Sequence, residues 1–274
     1  MRFRCLPLIV LSVLSLPVFG QGEGTDSGWQ RLGRGIQCRT VTTDWSGSRQ
    51  HIAAVRYRMR MHRTGILHAP AESADSTSAL AAGAGAVAAV NGSYFNMKLL
   101  VPVTYLRHEG RDLSATTAKE RSLRADGILA VKKNGRMDIF REDGTGEQQI
   151  PRTYPEALSS GPVLLSGGRP ARDSWPETGF YKKRHPRTIV GRDRHGWAYF
   201  IVIDGRFPGE GEGATIAETL DLACSFGLTE AINLDGGGSS TLWTAGTGVI
   251  SHPCDNRRFD NYGQRTVPNI VYIR

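Results

Sequence analysis

An α+β fold, a mixed β-sheet flanked by helices with a candidate site at the strand ends, is the architecture this sequence predicts. Three observations predict it. Segments with strand patterning outnumber segments with helical patterning. One segment, "TIAETLDLACSFG" (215–227), carries a full set of helix start and stop signals. A short apolar run, "EAINL" (230–234), feeds directly into the glycine-rich turn "DGGGSS" (235–240). The chain has 274 residues, 39% hydrophobic and 22% charged, which is ordinary globular composition and enough for a sizeable core. Its 33 glycines cluster in motif-like places and show no solenoid period.

The elements follow in chain order. "MRFRCLPLIVLSVLSLPVFG" (1–20) has a basic start at Arg2 and Arg4, an apolar run from Cys5 to Phe19 and a cleavable end near Gly20. It is expected to be a secretory signal, placing the mature chain in a secreted or periplasmic setting. The run is short for a membrane span and holds Pro7 and Pro17, so no stable span is expected. Residues 21–35 are expected to be a flexible leader, and residues 36–274 a single domain. "HIAAVRYRMRM" (51–61) alternates as a strand, with Ile52, Ala54, Arg56 and Arg58 on one side. "STSALAAGAGAVAAV" (76–90) is expected to be a helix passing into a buried strand that delivers Asn91. "GILAVKKNGRMDIF" (127–140) is a hairpin, because Asn134-Gly135 supplies the positive φ of a tight turn. "RTIVGRDRHGWAYFIVIDGR" (187–206) is a second strand pair around "DRHG".

In "TIAETLDLACSFG", Thr215 and Glu218 make a capping box, Ile216, Leu220 and Ala223 line one face, and Gly227 ends the helix. Residues 239–243 are expected to be a strand. The last strand lies in "RTVPNIVYIR" (265–274) and is expected at a sheet edge, since Pro268 cannot donate a ladder bond. Outside the N-terminal segment three cysteines remain, Cys38, Cys224 and Cys254, enough for at most one disulfide. Their spacing does not suit zinc, and Cys224 is expected to be a small buried hydrophobe.

The formal charge of +8 suits an anionic ligand, though a soluble basic surface would show it too. The basic residues are scattered without an aromatic platform, which argues against nucleic acid. Oligomeric state is not legible.

The chemistry converges on the strand ends. Asp235 follows a buried strand, so its carboxylate projects at that strand's end. Gly236, Gly237 and Gly238 permit left-handed backbone and close approach, and successive N–H groups in such a turn can form an anion-binding nest. Ser239 and Ser240 add hydroxyls, and Asn233 adds an amide. "NGSYFN" (91–96) also ends an apolar strand; Asn91 and Tyr94 are its candidates. Asn91-Gly92-Ser93 also matches a glycosylation sequon. Arg187 in "HPRT" and Arg206 in "IDGR" offer guanidinium forks that match phosphate oxygens. The candidate catalytic carboxylates are Asp235, Glu218 and Asp204. Glu218 serves equally well as a helix cap, and Asp204 as a support for Arg206 or a metal ligand. No cofactor is required, and a divalent cation such as Ca or Mg stays open. His108, His185 and His195 are assigned no catalysis, with His185 at the site rim.

Seven segments in order resemble the phosphodiester glycosidase family: "NGSYFN", "SSGPVLLSGG" (159–168), "HPRTIVG", "VIDGR", "GATIAETLDLACSFG", "AINLDGGGSSTLW" and "RTVPNIVYI". "LDGGGSST" is the sharpest of them. Tyr94 departs from the pattern and would alter pocket shape, and the first third carries little resemblance. The resemblance implies a hydrolase for the bond between a sugar's anomeric carbon and phosphate in a sugar-1-phosphodiester of the GlcNAc-1-phosphodiester kind. Arg187, Arg206 and the glycine turn would hold the anion, and a carboxylate would act as base or nucleophile. The implied partner is a phosphorylated glycan. A phosphodiesterase cleaving P–O and a non-catalytic exopolysaccharide-binding or assembly protein are the two alternatives.

Overall fold

The computed structural model describes residues 24–142 and 146–274. The expected signal segment lies outside the described residues. The architecture corrects the fold-class expectation: it is mostly β, built from three larger sheets and two small ribbons, with four short α-helices among the described residues. Every strand pairing within these sheets is antiparallel, not mixed.

The nine-stranded sheet runs Thr25–Asp26, Ile36–Trp45, Ser48–Arg58, Trp197–Ile203, Arg187–Arg192, Glu230–Asn233, Val163–Ser166, Arg169–Pro170, with Gln30–Gly33 also paired to Ile36–Trp45. Two short strands, Thr25–Asp26 and Gln30–Gly33, thus lie within the expected leader. Period-two patterning explains why this sheet is central. Along Ser48–Arg58, Ala53, Val55 and Tyr57 enter one apolar core while Ile52 and Ala54 enter another. Trp197–Ile203 splits the same way, Ala198, Phe200 and Val202 to the first core, Tyr199, Ile201 and Ile203 to the second. Successive side chains leave a strand on opposite faces, so a strand apolar at both parities must be covered twice.

The first core is closed by the other two sheets, through Leu129, Val131 and Leu158 of one and Val90, Leu242 and Val271 of the other. The second is covered by the helix Ile216–Ser225, which buries Ile216, Leu220, Leu222 and Ala223. That helix has the capping box expected of Thr215 and Glu218. Single helices cover one face of one sheet, and sheet-on-sheet packing does the rest. This is why the helix-flanked expectation failed.

Three local expectations also change. Asn269–Ile273 is an interior strand between Ala88–Asn91 and Thr64–His68; Pro268 precedes it, so its missing N–H costs no ladder bond. The 239–243 strand begins only at Leu242, after a 3₁₀ turn at Gly237–Ser239. Cys224 is exposed on the outer side of its helix, and Cys38, Cys224 and Cys254 are all free thiols. Among the described residues no helix is long and apolar enough to cross a membrane.

Candidate active site

One end of the central sheet carries the site. Glu230–Asn233 ends beside the start of Arg187–Arg192 and the end of Trp197–Ile203, where Arg187 pairs with Ile203 and Ile189 with Asn233. The antiparallel registers thus bring "HPRT", "IDGR" and "LDGGG" to one place. There they line a cavity of about 260 Å³ with Tyr94, Arg124, Phe180, His185, Arg187, Arg206, Asp235, Gly236, Gly237 and Arg265 in its wall. Segments more than 140 residues apart in sequence are joined by hydrogen bonds: Asp235 N donates to Gly92 O at 3.1 Å, and the Asn91 side-chain Nδ2 donates to Asp235 O at 2.7 Å.

Asp235 is the one carboxylate in that wall. Burial pushes its pKa up, partly offset by the Ser239 hydroxyl, the Arg124 charge and the Gly236 N–H, which lies 2.9 Å from Oδ1. Arg187 is almost fully buried. Its Nε donates to Ala214 O at 2.9 Å and its Nη2 to Phe180 O at 2.7 Å and Lys183 O at 3.1 Å. No described carboxylate pairs with it, and desolvation lowers its pKa to about 10. Arg206 is exposed and unpaired with any described acid. Its Nη1 reaches Cys254 Sγ at 3.5 Å, and its backbone holds φ 72°, a left-handed conformation rare for a non-glycine. The following turn makes room: a Cβ on Gly237 would stand 2.9 Å from Arg206 Nη2. His185, half-buried, has its pKa lowered by burial and by Arg187 and Arg206, which favours its neutral form.

Sequence reasoning missed Arg124 and Arg265. Arg124 lies 3.8 Å over the Tyr94 ring, with Nε 2.7 Å from Glu120 Oε2. Arg265 forks onto Asp255 at 2.7 and 2.8 Å. Arg265 opens the segment "RTVPNIVYI" and was legible there; nothing local in "SLRADG" marks Arg124.

Other candidates lie outside the cavity wall. Glu218 is spent twice: Oε2 accepts Thr215 N at 2.8 Å as a cap, and Oε1 accepts Arg184 Nη2 at 2.5 Å. Asp204 is buried behind the wall. His51 Nδ1 and His252 Nδ1 each donate to its Oδ2 at 2.7 Å, and His252 N donates to Oδ1 at 2.9 Å. These hydrogen bonds hold its pKa below the usual value against desolvation. This cluster, with ligand atoms within 4.8 Å of one another, is the group among the described residues that could hold a metal. Two imidazoles and one carboxylate suit zinc rather than the oxygen-seeking Ca or Mg.

Asn91 is fully buried, with Oδ1 accepting Thr188 Oγ1 at 2.8 Å, so the sequon is closed to modification in the folded chain. Tyr94 OH and Asn233 Nδ2 both donate to Gly161 O, at 2.5 and 2.8 Å. Gly238, Ser239 and Ser240 are buried beneath the turn, and Ser240 Oγ lies 3.2 Å from Thr188 Oγ1. The glycine nest is mostly occupied from within. Gly236 N faces its own Asp235, and Gly237 N donates to Pro186 O at 2.9 Å. The glycines serve close approach instead: a Cβ on Gly236 would meet Pro186 O at 2.6 Å. Arginine side chains, rather than bare amides, supply the cavity's positive charge.

Residues 84–274 match the family model for phosphodiester glycosidase. The chain belongs to the phosphodiester glycosidase family. Within it, the cow N-acetylglucosamine-1-phosphodiester alpha-N-acetylglucosaminidase is 26% identical over 180 residues, covering 63% of this chain and 33% of that protein. The human enzyme of the same name is 28% identical over 189 residues, covering 61% and 33%. The similarity thus spans about a third of these relatives' length. The zebrafish catalytic domain of that name, auto-inhibited by its pro-peptide, superposes with TM-score 0.70 at 18% identity over 92% of this chain and 87% of that one. At that identity the likeness establishes the fold. It is the same β-rich architecture that replaces the helix-flanked arrangement read from the sequence.

Proposed function

We propose that the protein is an exported hydrolase that cleaves the bond between a sugar's anomeric carbon and phosphate in a sugar-1-phosphodiester of the GlcNAc-1-phosphodiester kind. The observation that carries the reading is the cavity wall: four guanidinium groups, Arg124, Arg187, Arg206 and Arg265, around a single carboxylate, Asp235. An anion is the natural occupant of that charge, and phosphate oxygens match guanidinium forks.

The chemistry follows from what is near and what is not. As C1–O breaks, negative charge gathers on the departing phosphate. Arg206 and Arg187, neither neutralised by a described acid, stabilise that charge where it develops. A phosphate monoester leaves without strong protonation, so a second carboxylic acid is dispensable. Glu218 and Asp204 are committed elsewhere, which fits a one-carboxylate site. Asp235, ionised, attacks C1 or takes a proton from the attacking water. Tyr94 and Phe180 give the cavity an apolar wall for a sugar face. Asp204, held by His51 and His252, anchors the turn that carries Arg206 two residues later.

The test is direct. Incubating the mature chain with a panel of sugar-1-phosphodiesters should release free sugar and phosphomonoester, and Asp235→Asn should abolish release. No release across the panel contradicts the reading. Mass spectrometry of the exported chain should find residues 1–20 removed.

A further inference from the structure

The opposite end of the central sheet holds a larger cleft, about 720 Å³, that the proposed reaction does not use. It lies where two turns face each other. The turn 193–196 joins the two central strands, and the hairpin turn 132–136 tips the neighbouring sheet. Its wall carries six cations, Arg58, Arg60, Lys132, Arg136, Arg192 and Arg194, against two acids, Asp138 and Asp193.

Both acids are already engaged. Asp138 accepts Lys132 Nζ at 2.8 Å and Tyr154 OH at 2.8 Å. Asp193 accepts the backbone N–H groups of His195 and Trp197 at 2.8 and 2.9 Å. Arg60, Arg136 and Arg194 are exposed and pair with no described carboxylate. Arg192 Nε is buried with no hydrogen-bond partner, an orphan donor of the kind that costs free energy unless a ligand or water supplies the acceptor. Arg58 is preorganised at the rim. Its guanidinium stacks at 4.1 Å on Trp197, whose ring lies 4.6 Å from Arg56, which stacks at 4.1 Å on Trp29. Its Nη1 donates to His195 O at 2.7 Å. Stacking fixes that cation without neutralising it.

We infer that this cleft is a second anion-binding site, which holds a distal phosphate-bearing segment of a polymeric phosphoglycan. Five of its six cations are arginine, which suits oxyanion forks over point charges. The two sites lie at opposite ends of the same strands. From Arg187 to Arg192 is five residues, about 17 Å of strand, so a polymer, not a small diester, can reach both. The choice of a phosphoglycan rests on the function proposed above; the site itself rests on its own charges.

The test uses a mannosylphosphate polymer as probe and the full-length mature chain carrying Asp235→Asn, so that binding is read without turnover. The added pair Arg60→Glu and Arg136→Glu, both exposed, should weaken polymer binding at least tenfold. In the otherwise unaltered chain the pair should leave cleavage of a small diester unchanged, and the melting temperature checks folding. Unchanged polymer affinity in the pair variant overturns the inference. So does equally tight binding of hyaluronan or duplex DNA at matched charge, which would make the cleft a generic polyanion patch. Polymer binding through the cleft in a chain that cleaves no diester would uphold the cleft and refute the proposed reaction alone.

Discussion

The two ends of the central strands are both rich in arginine and behave as different chemical environments. At the Arg187 end the cations surround one carboxylate in a cavity of about 260 Å³; at the Arg192 end they line a cleft of about 720 Å³ whose two acids are already hydrogen-bonded. The first end is assembled from segments far apart in sequence and is held by buried polar bonds. The second is made of two turns and the end of Ser48–Arg58. Charge alone therefore does not mark a reaction site. What distinguishes the first end is an acid at the end of a buried strand, with its pKa raised by burial.

The comparison can be broken first at Asp235. Asp235→Asn should cost ~10³-fold or more in kcat/KM, while Arg60→Glu with Arg136→Glu should cost nothing on a small diester. Steady-state kinetics on one substrate reads both. Next, Arg206→Gly separates strain from function. Removing a non-glycine residue from φ 72° should raise stability by roughly 1 kcal/mol, and losing the guanidinium should cut activity about 100-fold. Thermal melts and kinetics on the same preparation check the trade.

Asp235 and the buried Asp204 should respond oppositely to pH. Asp235 has a raised folded pKa, so ionising it costs stability. Asp235→Asn should melt higher than the parent at neutral pH, and the gain should vanish as pH falls below the ordinary carboxylate range. Asp204 has a lowered folded pKa, so its contribution is present at neutral pH and lost as pH falls through that value. Asp204→Asn should destabilise the neutral protein by roughly 3 kcal/mol, a deficit that shrinks in acid. The same Asp235 shift places the acid limb of the rate profile above the pH expected of an ordinary aspartate. The smallest effect belongs to Glu218: Glu218→Gln should cost about 1 kcal/mol through the cap and Arg184, with activity little changed.

Much of the site was legible because strand-end motifs keep their local meaning. Asp235, Arg187, Arg206 and Tyr94 were named from short patterns and share one cavity. The capping box of Thr215 and Glu218 was read correctly, while Arg184, which claims the other Glu218 oxygen, was invisible in any local pattern. The anion nest was not legible. Glycine runs permit exposed amides but do not reveal that Pro186 O and Asp235 itself already accept them. The fold class was misread for a related reason. Val-, Ile- and Ala-rich strands such as 52–57 and 198–203 announce burial on both faces, but not whether helices or further sheets do the covering. Which strands pair was decided in part by partners more than a hundred positions apart, as with Val90 and Leu242.

The central claim is that the Asp235 cavity breaks the bond from phosphate oxygen to the anomeric carbon. Hydrolysis of a sugar-1-phosphodiester in ¹⁸O-labelled water tests it most directly. The label should appear at C1 of the released sugar, with none in the phosphomonoester. Label in the phosphate would mean attack at phosphorus and would contradict the proposed reaction.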